Sequence, residues 1–169
     1  VLNVRKMEVG QSTLHIQSIQ LDEWAEQLIS DFKPEASVRG ITLVYQPEPE
    51  IQTLCFDKEK CTTILTNLLI NALKYTPDES TISISTRLSE DKRVRISISD
   101  QGPGLKDVDT NNLFVRFYQG NNSRPGTGIG LSYSKILVEQ HGGNIGAYDN
   151  KNFGSPGATF WFELPLNTE

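Results

Sequence analysis

The chain is poor in cysteine and in long hydrophobic runs. Its two cysteines, Cys55 and Cys61, do not form a C-x-x-C pair, so we expect reduced, structural thiols of the kind found in cytosolic proteins. No run reaches the roughly 18 apolar residues that span a bilayer, so no membrane span is predicted. The net charge of −5 argues against a nucleic-acid-binding surface.

Three common signatures of nucleotide-dependent enzymes are missing as well. There is no G-x-x-x-x-G-K-[ST] loop, which excludes a P-loop enzyme, and the V-A-I-K, H-R-D and D-F-G set of protein kinases is also missing. A dinucleotide fingerprint has to be considered for the glycines of residues 126–130, because Asp149 lies near the distance expected of a ribose-binding acid. That fingerprint requires a strand immediately before its glycines, and N121-N-S-R-P-G126 does not form one.

The length and the apolar content fit one α/β domain. A chain of 169 residues that is 37% hydrophobic can bury a sizeable core. Hydrophobic periodicity predicts strands near residues 13–18, 41–46, 52–56, 81–88, 93–99, 144–149 and 158–164, and helices near 21–37, 57–75 and 132–141. Strand pairs that alternate irregularly with helices favour a two-layer sandwich, in which a mixed β-sheet is covered on one face by about three helices.

The first segment of functional interest is N67-L-L-I-N-A-L-K-Y75. Asn67, Asn71 and Lys74 fall within an arc of roughly 60° on one side of the predicted helix. The amide oxygen of Asn71 suits Mg²⁺, which prefers oxygen ligands, and Lys74 would then face the phosphates of a nucleotide. For this segment taken alone, an exposed polar flank of a helix is the favoured explanation, and only the later motifs reverse that preference. The other side is an apolar stripe, made of Ile64, Leu65, Leu68, Leu69, Ala72 and Leu73.

The second segment, D100-Q-G-P-G104, follows a strand-like alternation over residues 94–98. An ionised carboxylate only accepts hydrogen bonds, so Asp100 suits an exocyclic amino group such as the one on adenine. Gly102 and Gly104 permit a close approach of the backbone that a side chain would prevent. A tight turn that begins with aspartate is the alternative explanation.

The third segment, G126-T-G-I-G-L131, runs directly into a predicted helix that Gly142 and Gly143 end. A glycine loop that opens a helix is a suitable site for phosphate, because free backbone N–H groups and the helix dipole both favour an anion. We therefore expect this segment to approach the phosphates of a bound nucleotide.

These three segments, together with F114-V-R-F-Y-Q119, resemble the successive boxes of the catalytic and ATP-binding domain of sensor histidine kinases. That domain belongs to the superfamily of gyrase-type topoisomerases, heat-shock chaperone ATPases and mismatch-repair ATPases. The resemblance extends from about residue 12 to residue 166. It implies that ATP and Mg²⁺ are the ligands and that residues 101–126, approximately, form a long ATP lid.

The resemblance also implies a role for individual residues. Asn71 would ligate Mg²⁺, and Asn67 would lie toward the phosphates and the metal. Lys74 would meet phosphate, Tyr75 would pack beside the nucleotide and Asp100 would hydrogen-bond adenine. The remaining nucleotide-binding positions would be Gly102, Gly104, Gly126, Thr127, Gly128, Ile129, Gly130 and Leu131, and the catalytic set would be Asn67, Asn71, Lys74 and Arg116, the last reaching phosphate or the phosphoacceptor domain.

Position 67 bears on the reaction. Hydrolytic members of the superfamily carry a glutamate four residues before the metal-binding asparagine to activate water, whereas this chain has Asn67. An amide cannot act as a general base, so the resemblance implies transfer to another nucleophile, which in this family is a histidine. His15 lacks the surroundings of a phosphoacceptor histidine, and His141 is expected to complement a helix dipole. The acceptor histidine is therefore expected outside these residues.

The predicted domain organisation is a short remnant followed by one domain. Residues 1–10 resemble the last turns of the second helix of a dimerisation and phosphoacceptor domain, and residues 11–169 would form the catalytic domain. We expect a monomeric, cytoplasmic domain within a homodimeric parent that acts upstream of a response-regulator receiver, and a parent anchored in the inner membrane, as most relatives are. Phe114 and Phe117 would anchor the lid to the core or to the partner domain, and ordinary packing of two phenylalanines explains their spacing equally well.

The predicted function is thus the ATP-binding catalytic half of a sensor histidine kinase. Two alternatives stay open. One is a nucleotide-binding module of the same superfamily that is catalytically inactive and controls a partner through ATP occupancy. The other is a serine-directed kinase of the superfamily, which residues 1–9 argue against because they imply a covalent neighbour.

Overall fold

The computed structural model describes residues 13–105, 113–114 and 130–166, and its elements follow the predicted order. The strands are β1 (Ile16–Gln20), β2 (Thr42–Gln46), β3 (Thr53–Asp57), β4 (Thr81–Leu88), β5 (Arg93–Ser99), β6 (Asn144–Asp149) and β7 (Ala158–Pro165). The helices are α1 (Leu21–Val38), α2 (Lys58–Tyr75) and α3 (Gly130–Gln140), and a short 3₁₀ helix (Asn150–Phe153) follows β6. The predicted N-terminal remnant and most of the predicted lid lie outside the described residues. Within those residues, no helix combines the length and the apolar character needed to cross a membrane.

Five of the strands form one mixed sheet in the order β2-β4-β5-β7-β6. β2 and β4 run parallel, and the other neighbouring pairs are antiparallel. Val94, Ile96 and Ile98 of β5 are buried while the residues between them are partly exposed, because only one face of the sheet is covered by helices. The predicted two-layer α/β sandwich with three helices is therefore confirmed.

The first strand differs from its prediction. It was expected near residues 13–18, but β1 covers Ile16–Gln20 and pairs with β3 in a separate two-stranded sheet. Ile19 is the buried residue of β1, whereas Ile16 is 38% exposed. The alternation at residues 13–18 was misleading because long-range pairing with β3, rather than local periodicity, decides which residues extend.

Helix α2 is held at both ends. The Asp57 carboxylate accepts the Lys60 N–H at 3.0 Å and caps the N-terminus. At the C-terminus the Arg39 guanidinium donates to the carbonyl oxygens of Leu73 and Thr76 at 2.5 and 2.6 Å, in a region where a helix leaves carbonyls without internal partners. The predicted apolar stripe is buried at every position, namely Ile64, Leu65, Leu68, Leu69, Ala72 and Leu73.

His141 follows α3 in a buried position. Its Nδ1–H donates to the Leu137 carbonyl at 2.8 Å, and its Nε2 accepts the Asp57 N–H at 3.2 Å. Burial lowers the pKa of His141 below its ordinary value, so the ring is neutral near pH 7. Its structural role is as predicted, but the reason differs: the ring satisfies a carbonyl at the helix end through a hydrogen bond rather than through positive charge.

Candidate nucleotide site

Asp100 lies immediately after β5 and is only 3% exposed. Its Oδ1 accepts two backbone N–H groups, from Gly102 at 2.9 Å and from Ala158 at 3.1 Å. Its other carboxylate oxygen, Oδ2, accepts no hydrogen bond from the described residues. The carboxylate is therefore fixed through one oxygen and has the second oxygen available for a ligand.

The electrostatic environment of Asp100 combines two opposing effects. Burial raises the pKa of the Asp100 carboxyl, and the N–H groups of Gly102 and Ala158 lower it in part. The net direction is upward. A hydrogen bond to a buried carboxylate oxygen is stronger than one in water, because the local dielectric constant is low.

The glycine loop after Asp100 packs between the end of α2 and Asp149. A Cβ atom at Gly102 would lie 2.5 Å from the Tyr75 carbonyl oxygen, and one at Gly104, where φ is +79°, would lie 3.0 Å from Asp149 Oδ1. The Leu105 N–H donates to Asp149 Oδ2 at 3.0 Å. Asp149, which its spacing made a candidate ribose ligand, is thus engaged in holding this loop. The packing of this loop brings Asp100 and the last turn of α2 close together.

Asn67 connects α2 to α3. Its Nδ2 donates to the Gly130 carbonyl and to the Ser134 hydroxyl, both at 3.2 Å. Gly130 is the first residue of α3, which begins two residues earlier than predicted. The Asn67 amide nitrogen is therefore occupied by the start of α3, and its oxygen accepts no hydrogen bond from the described part of the chain. Leu131, the next residue, is half-buried against the core.

Asn71 and Lys74 lie on the same polar side of α2. The Asn71 side chain makes no hydrogen bond with any described residue, and its buried Nδ2 is among the atoms left without a partner there. The Lys74 Nζ lies 5.4 Å from the centroid of the Tyr75 ring, and no described carboxylate forms an ion pair with it. An amide and an ammonium that lack a polar partner among the described residues, on one helix face, are suited to a ligand that supplies oxygen atoms and negative charge.

These residues are compatible with Mg²⁺. Mg²⁺ commonly takes one or two protein oxygens and completes its shell with water and substrate phosphates, so the amide oxygen of Asn71, which accepts no hydrogen bond from the described residues, is a sufficient protein ligand. Across the described ranges there is no group of three or more His, Cys, Asp or Glu side chains that could hold a metal.

Several predicted site residues lie outside the described residues. These are Arg116, Gly126, Thr127, Gly128 and Ile129, together with Phe117. Phe114 is described: its ring packs edge-on against Phe160, with the ring centroids 6.5 Å apart. Phe114 thus packs against the core, as both the anchoring role and ordinary packing predict.

Sequence reasoning missed the polar residues behind Asp100. Asn150 and Thr159 are 6% and 3% exposed and are hydrogen-bonded to each other and to the β5 end. Nothing in the sequence distinguishes them from the surface polar residues around them, because Asn150 lies in the irregular stretch 150–157. Arg39 was also missed, since an arginine after a helix is common and its partners are distant in sequence.

The chain is similar in sequence to a known protein family and to several of its members. The family described as "Histidine kinase-, DNA gyrase B-, and HSP90-like ATPase" matches residues 56–168. The sensor histidine kinase TmoS of Ectopseudomonas mendocina is 35% identical over 99% of this chain, and the adaptive-response sensory kinase SasA of Prochlorococcus marinus is 30% identical over 95% of it. The chain spans 17% of TmoS and 43% of SasA.

Solved structures share the fold. Full-length ShkA in complex with AMPPNP matches with a TM-score of 0.82 and 26% identity, over 99% of this chain and 35% of ShkA. The nucleotide-free catalytic domain of the histidine kinase ThkA matches with a TM-score of 0.79 and 24% identity, over 90% of this chain and 97% of that domain. Because the ThkA identity is low, that likeness concerns the fold alone.

Proposed function

Because the chain belongs to the family of histidine kinase-, DNA gyrase B- and HSP90-like ATPases, we propose that it is the ATP-binding catalytic domain of a two-component sensor kinase. In this function the γ-phosphoryl group of ATP passes to a histidine on a separate dimerisation domain of the parent protein. The observation that carries the proposal is the packing of the Gly102 loop against the Tyr75 carbonyl. This contact joins the Asp100 carboxylate and the Asn71 face of α2 in one site.

The adenine end of the site is formed by Asp100. Its free Oδ2 would accept a hydrogen bond from the exocyclic amino group of adenine, while the two N–H groups on Oδ1 keep the carboxylate in place. Guanine has a carbonyl oxygen at the corresponding ring position, and two facing acceptors cannot form a hydrogen bond. We therefore expect ATP to be preferred over GTP.

The phosphate end of the site is formed by α2. Asn71 would hold Mg²⁺ through its amide oxygen, and Lys74 would offer a cation to the phosphates from the same helix face. When bound, Mg²⁺ neutralises the charge that develops on the transferred phosphoryl group. Tyr75 would pack beside the nucleotide. Arg116 and residues 126–131 belong to this part of the proposal as further phosphate contacts, since a guanidinium and a glycine loop at a helix start both suit phosphate.

Asn67 favours transfer over hydrolysis. Its amide cannot remove a proton from water, and its Nδ2 is already bonded to the start of α3. A bound ATP would thus keep its γ-phosphoryl group until an external imidazole nitrogen attacks. In that step an N–P bond forms, the bond from the γ-phosphorus to the bridging β–γ oxygen breaks, ADP leaves, and the imidazole proton passes to solvent.

The proposal extends to the parent protein. The relatives TmoS and SasA are much longer than this chain, so we infer that the phosphoacceptor histidine and the dimerising helices lie in other parts of a homodimeric parent. A response-regulator receiver would take the phosphoryl group next. We further propose that the domain works in the cytoplasm, where ATP and Mg²⁺ are available, and that the parent is anchored in the inner membrane.

A transfer assay tests this function. The chain is mixed with the dimerisation domain of its parent and with γ-labelled ATP and Mg²⁺, and the acid-labile, base-stable label on histidine is measured. We expect label that depends on both components and that Asn71→Ala strongly reduces. Bound ATP without any label on histidine would instead support the inactive nucleotide-binding module, and a label on serine would support the serine-directed kinase.

A further inference from the structure

Asn150 is the centre of a buried polar network behind Asp100. It begins the 3₁₀ helix after β6 and is 6% exposed. Its Nδ2 lies 2.9 Å from the Ser99 hydroxyl, 3.0 Å from the Pro156 carbonyl and 3.2 Å from the Asp100 carbonyl. The Thr159 hydroxyl donates to its Oδ1 at 2.6 Å.

The partners determine how the Asn150 amide is oriented. Carbonyl oxygens only accept hydrogen bonds, so the side of the amide that faces Asp100 and Pro156 has to be the nitrogen. Three acceptors share its two hydrogens, so one of these hydrogens is shared between two acceptors. Aspartate has the same shape as asparagine but offers no hydrogen when it is ionised and only one when it is protonated, so it cannot replace Asn150 without leaving acceptors unpaired.

The network reaches Asp100 from behind. Asn150 contacts the Asp100 carbonyl, and its backbone N–H bonds the Gly157 carbonyl at 2.9 Å. The Asp100 N–H donates to the Ala158 carbonyl, and the Ala158 N–H donates to Asp100 Oδ1. Asn150, in the β6–β7 connection (residues 150–157), therefore holds the Asp100 carbonyl, while Ala158 at the start of β7 holds the Asp100 N–H and Oδ1. Oδ2 is the carboxylate oxygen left without a partner among the described residues.

We propose that Asn150 is a positioning residue for base recognition: its amide holds the backbone of Asp100 so that Oδ2 is presented to the amino group of a 6-aminopurine. This inference rests on the proposed function, because it assumes that a nucleotide base occupies the space in front of Asp100. The β6–β7 connection would thus contribute to base selectivity, in addition to joining two neighbouring strands of the sheet.

The test compares two ligands that differ only in the amino group. Dissociation constants for ADP and for purine riboside 5′-diphosphate, which has hydrogen in place of that amino group, are measured by calorimetry with Mg²⁺. For the unsubstituted chain we expect ADP to bind about ten-fold more tightly or better, as one charge-assisted hydrogen bond implies. Asn150→Asp should bring the two constants within about two-fold of each other.

Asn152→Asp is the matched control. Asn152 is exposed in the same 3₁₀ helix, so this variant adds the same charge without touching Asp100. It should keep the preference for ADP, and any general effect of the added charge on nucleotide affinity should appear in both variants. An Asn150→Asp chain that stays folded and keeps the full preference for ADP would overturn the proposal. A role in folding alone would lower both affinities together and leave their ratio unchanged, which would overturn it as well.

A second pair of variants applies if Asn150→Asp does not fold. Thr159→Val removes the hydroxyl that bonds Asn150 Oδ1, and Thr159→Ser keeps it. We expect the valine variant to lose most of the preference for ADP and the serine variant to retain it; equal preference in both would contradict the proposal. If the unsubstituted chain binds neither ligand, or binds both equally, the proposed adenine site itself is wrong, which is a different failure from that of Asn150.

Discussion

Asp100 is a carboxylate that is almost completely buried in the fold. Burial raises the pKa of this carboxyl above its ordinary value, so the ionised form is disfavoured in the folded state and folding gains less at neutral pH than at acidic pH. Such a cost is typical of binding sites, where a group is arranged for its ligand rather than for stability.

Asp100→Asn should separate stability from binding. The amide oxygen can still accept the N–H groups of Gly102 and Ala158, while its nitrogen would face the adenine amino group as a second donor. We expect ADP affinity to fall by about 1.5–3 kcal/mol. Urea unfolding should show this variant becoming more stable relative to the unsubstituted chain as pH rises above about 4, where the unfolded carboxyl ionises first. An unchanged ADP affinity would mean that adenine does not bind at Asp100.

His141 should give protein stability the opposite dependence on pH. Burial lowers the pKa of the His141 imidazole in the folded state. The contribution of the neutral ring to the free energy of unfolding is therefore complete above the ordinary histidine pKa, and it is lost as the pH falls below that value. Asp57, Lys60 and Cys61 face the ring. One proton changes the free energy of unfolding by at most about 1.4 kcal/mol per pH unit.

The measurement is urea unfolding between pH 7 and pH 5. We expect His141→Gln to remove part of the stability loss in that interval, and His15→Gln, which changes an exposed side chain, to leave it as it is. Equal slopes for the two variants would contradict this account of His141.

At the scale of elements, the β6–β7 connection supports Asp100 through close packing. A Cβ atom at Gly157, where φ is +90°, would lie 2.0 Å from the Asp100 carbonyl oxygen. Gly154 has a similar φ of +77°, but nothing lies within 4 Å of its Cβ position. Both glycines therefore have a positive φ, but only Gly157 is in close contact with a neighbour at its Cβ position.

Alanine at these two glycines should give different results. Gly154→Ala is expected to lower the free energy of unfolding by about 1–2 kcal/mol, which is the cost of a left-handed conformation. Gly157→Ala should cost clearly more and also weaken ADP binding, because Asp100 has to move. Equal losses of stability, measured by denaturant unfolding, together with equal ADP affinity would show that the connection does not support the site.

The C-terminus of α2 offers a second test at this scale. Arg39 donates to two carbonyls there and also pairs with the Asp78 carboxylate at 2.8 Å, where the Asp78 side chain is 69% exposed. We expect Arg39→Ala to lower the free energy of unfolding by about 1.5–3 kcal/mol through the carbonyl bonds. Asp78→Asn, which removes only an exposed ion pair, should cost less than about 1 kcal/mol. Similar losses for the two variants in urea unfolding would show that the carbonyl bonds contribute little.

For the whole molecule, periodicity was sufficient for the element order and the layer architecture. The apolar stripe of α2 and the alternation of β5 are local signals. The apolar side of each element is buried, as predicted. The displaced start of β1 was not predictable, because pairing of Ile16 with Asp57 depends on a distant strand. Asn71 and Asp100 were predicted because their motifs occur in the same order as in the family. Asn150 was not, because it lies in a connection without the periodicity that would indicate a buried residue.

We propose that Asp100 and the polar face of α2 form one site for Mg·ATP. The decisive experiment is calorimetric titration of the chain with ADP and a non-hydrolysable ATP analogue, with and without Mg²⁺ and with GTP as control. We expect both adenine nucleotides to bind, Mg²⁺ to strengthen binding of the ATP analogue, and GTP to bind at least about ten-fold more weakly. Equal binding of GTP, or no binding of either adenine nucleotide, would contradict it.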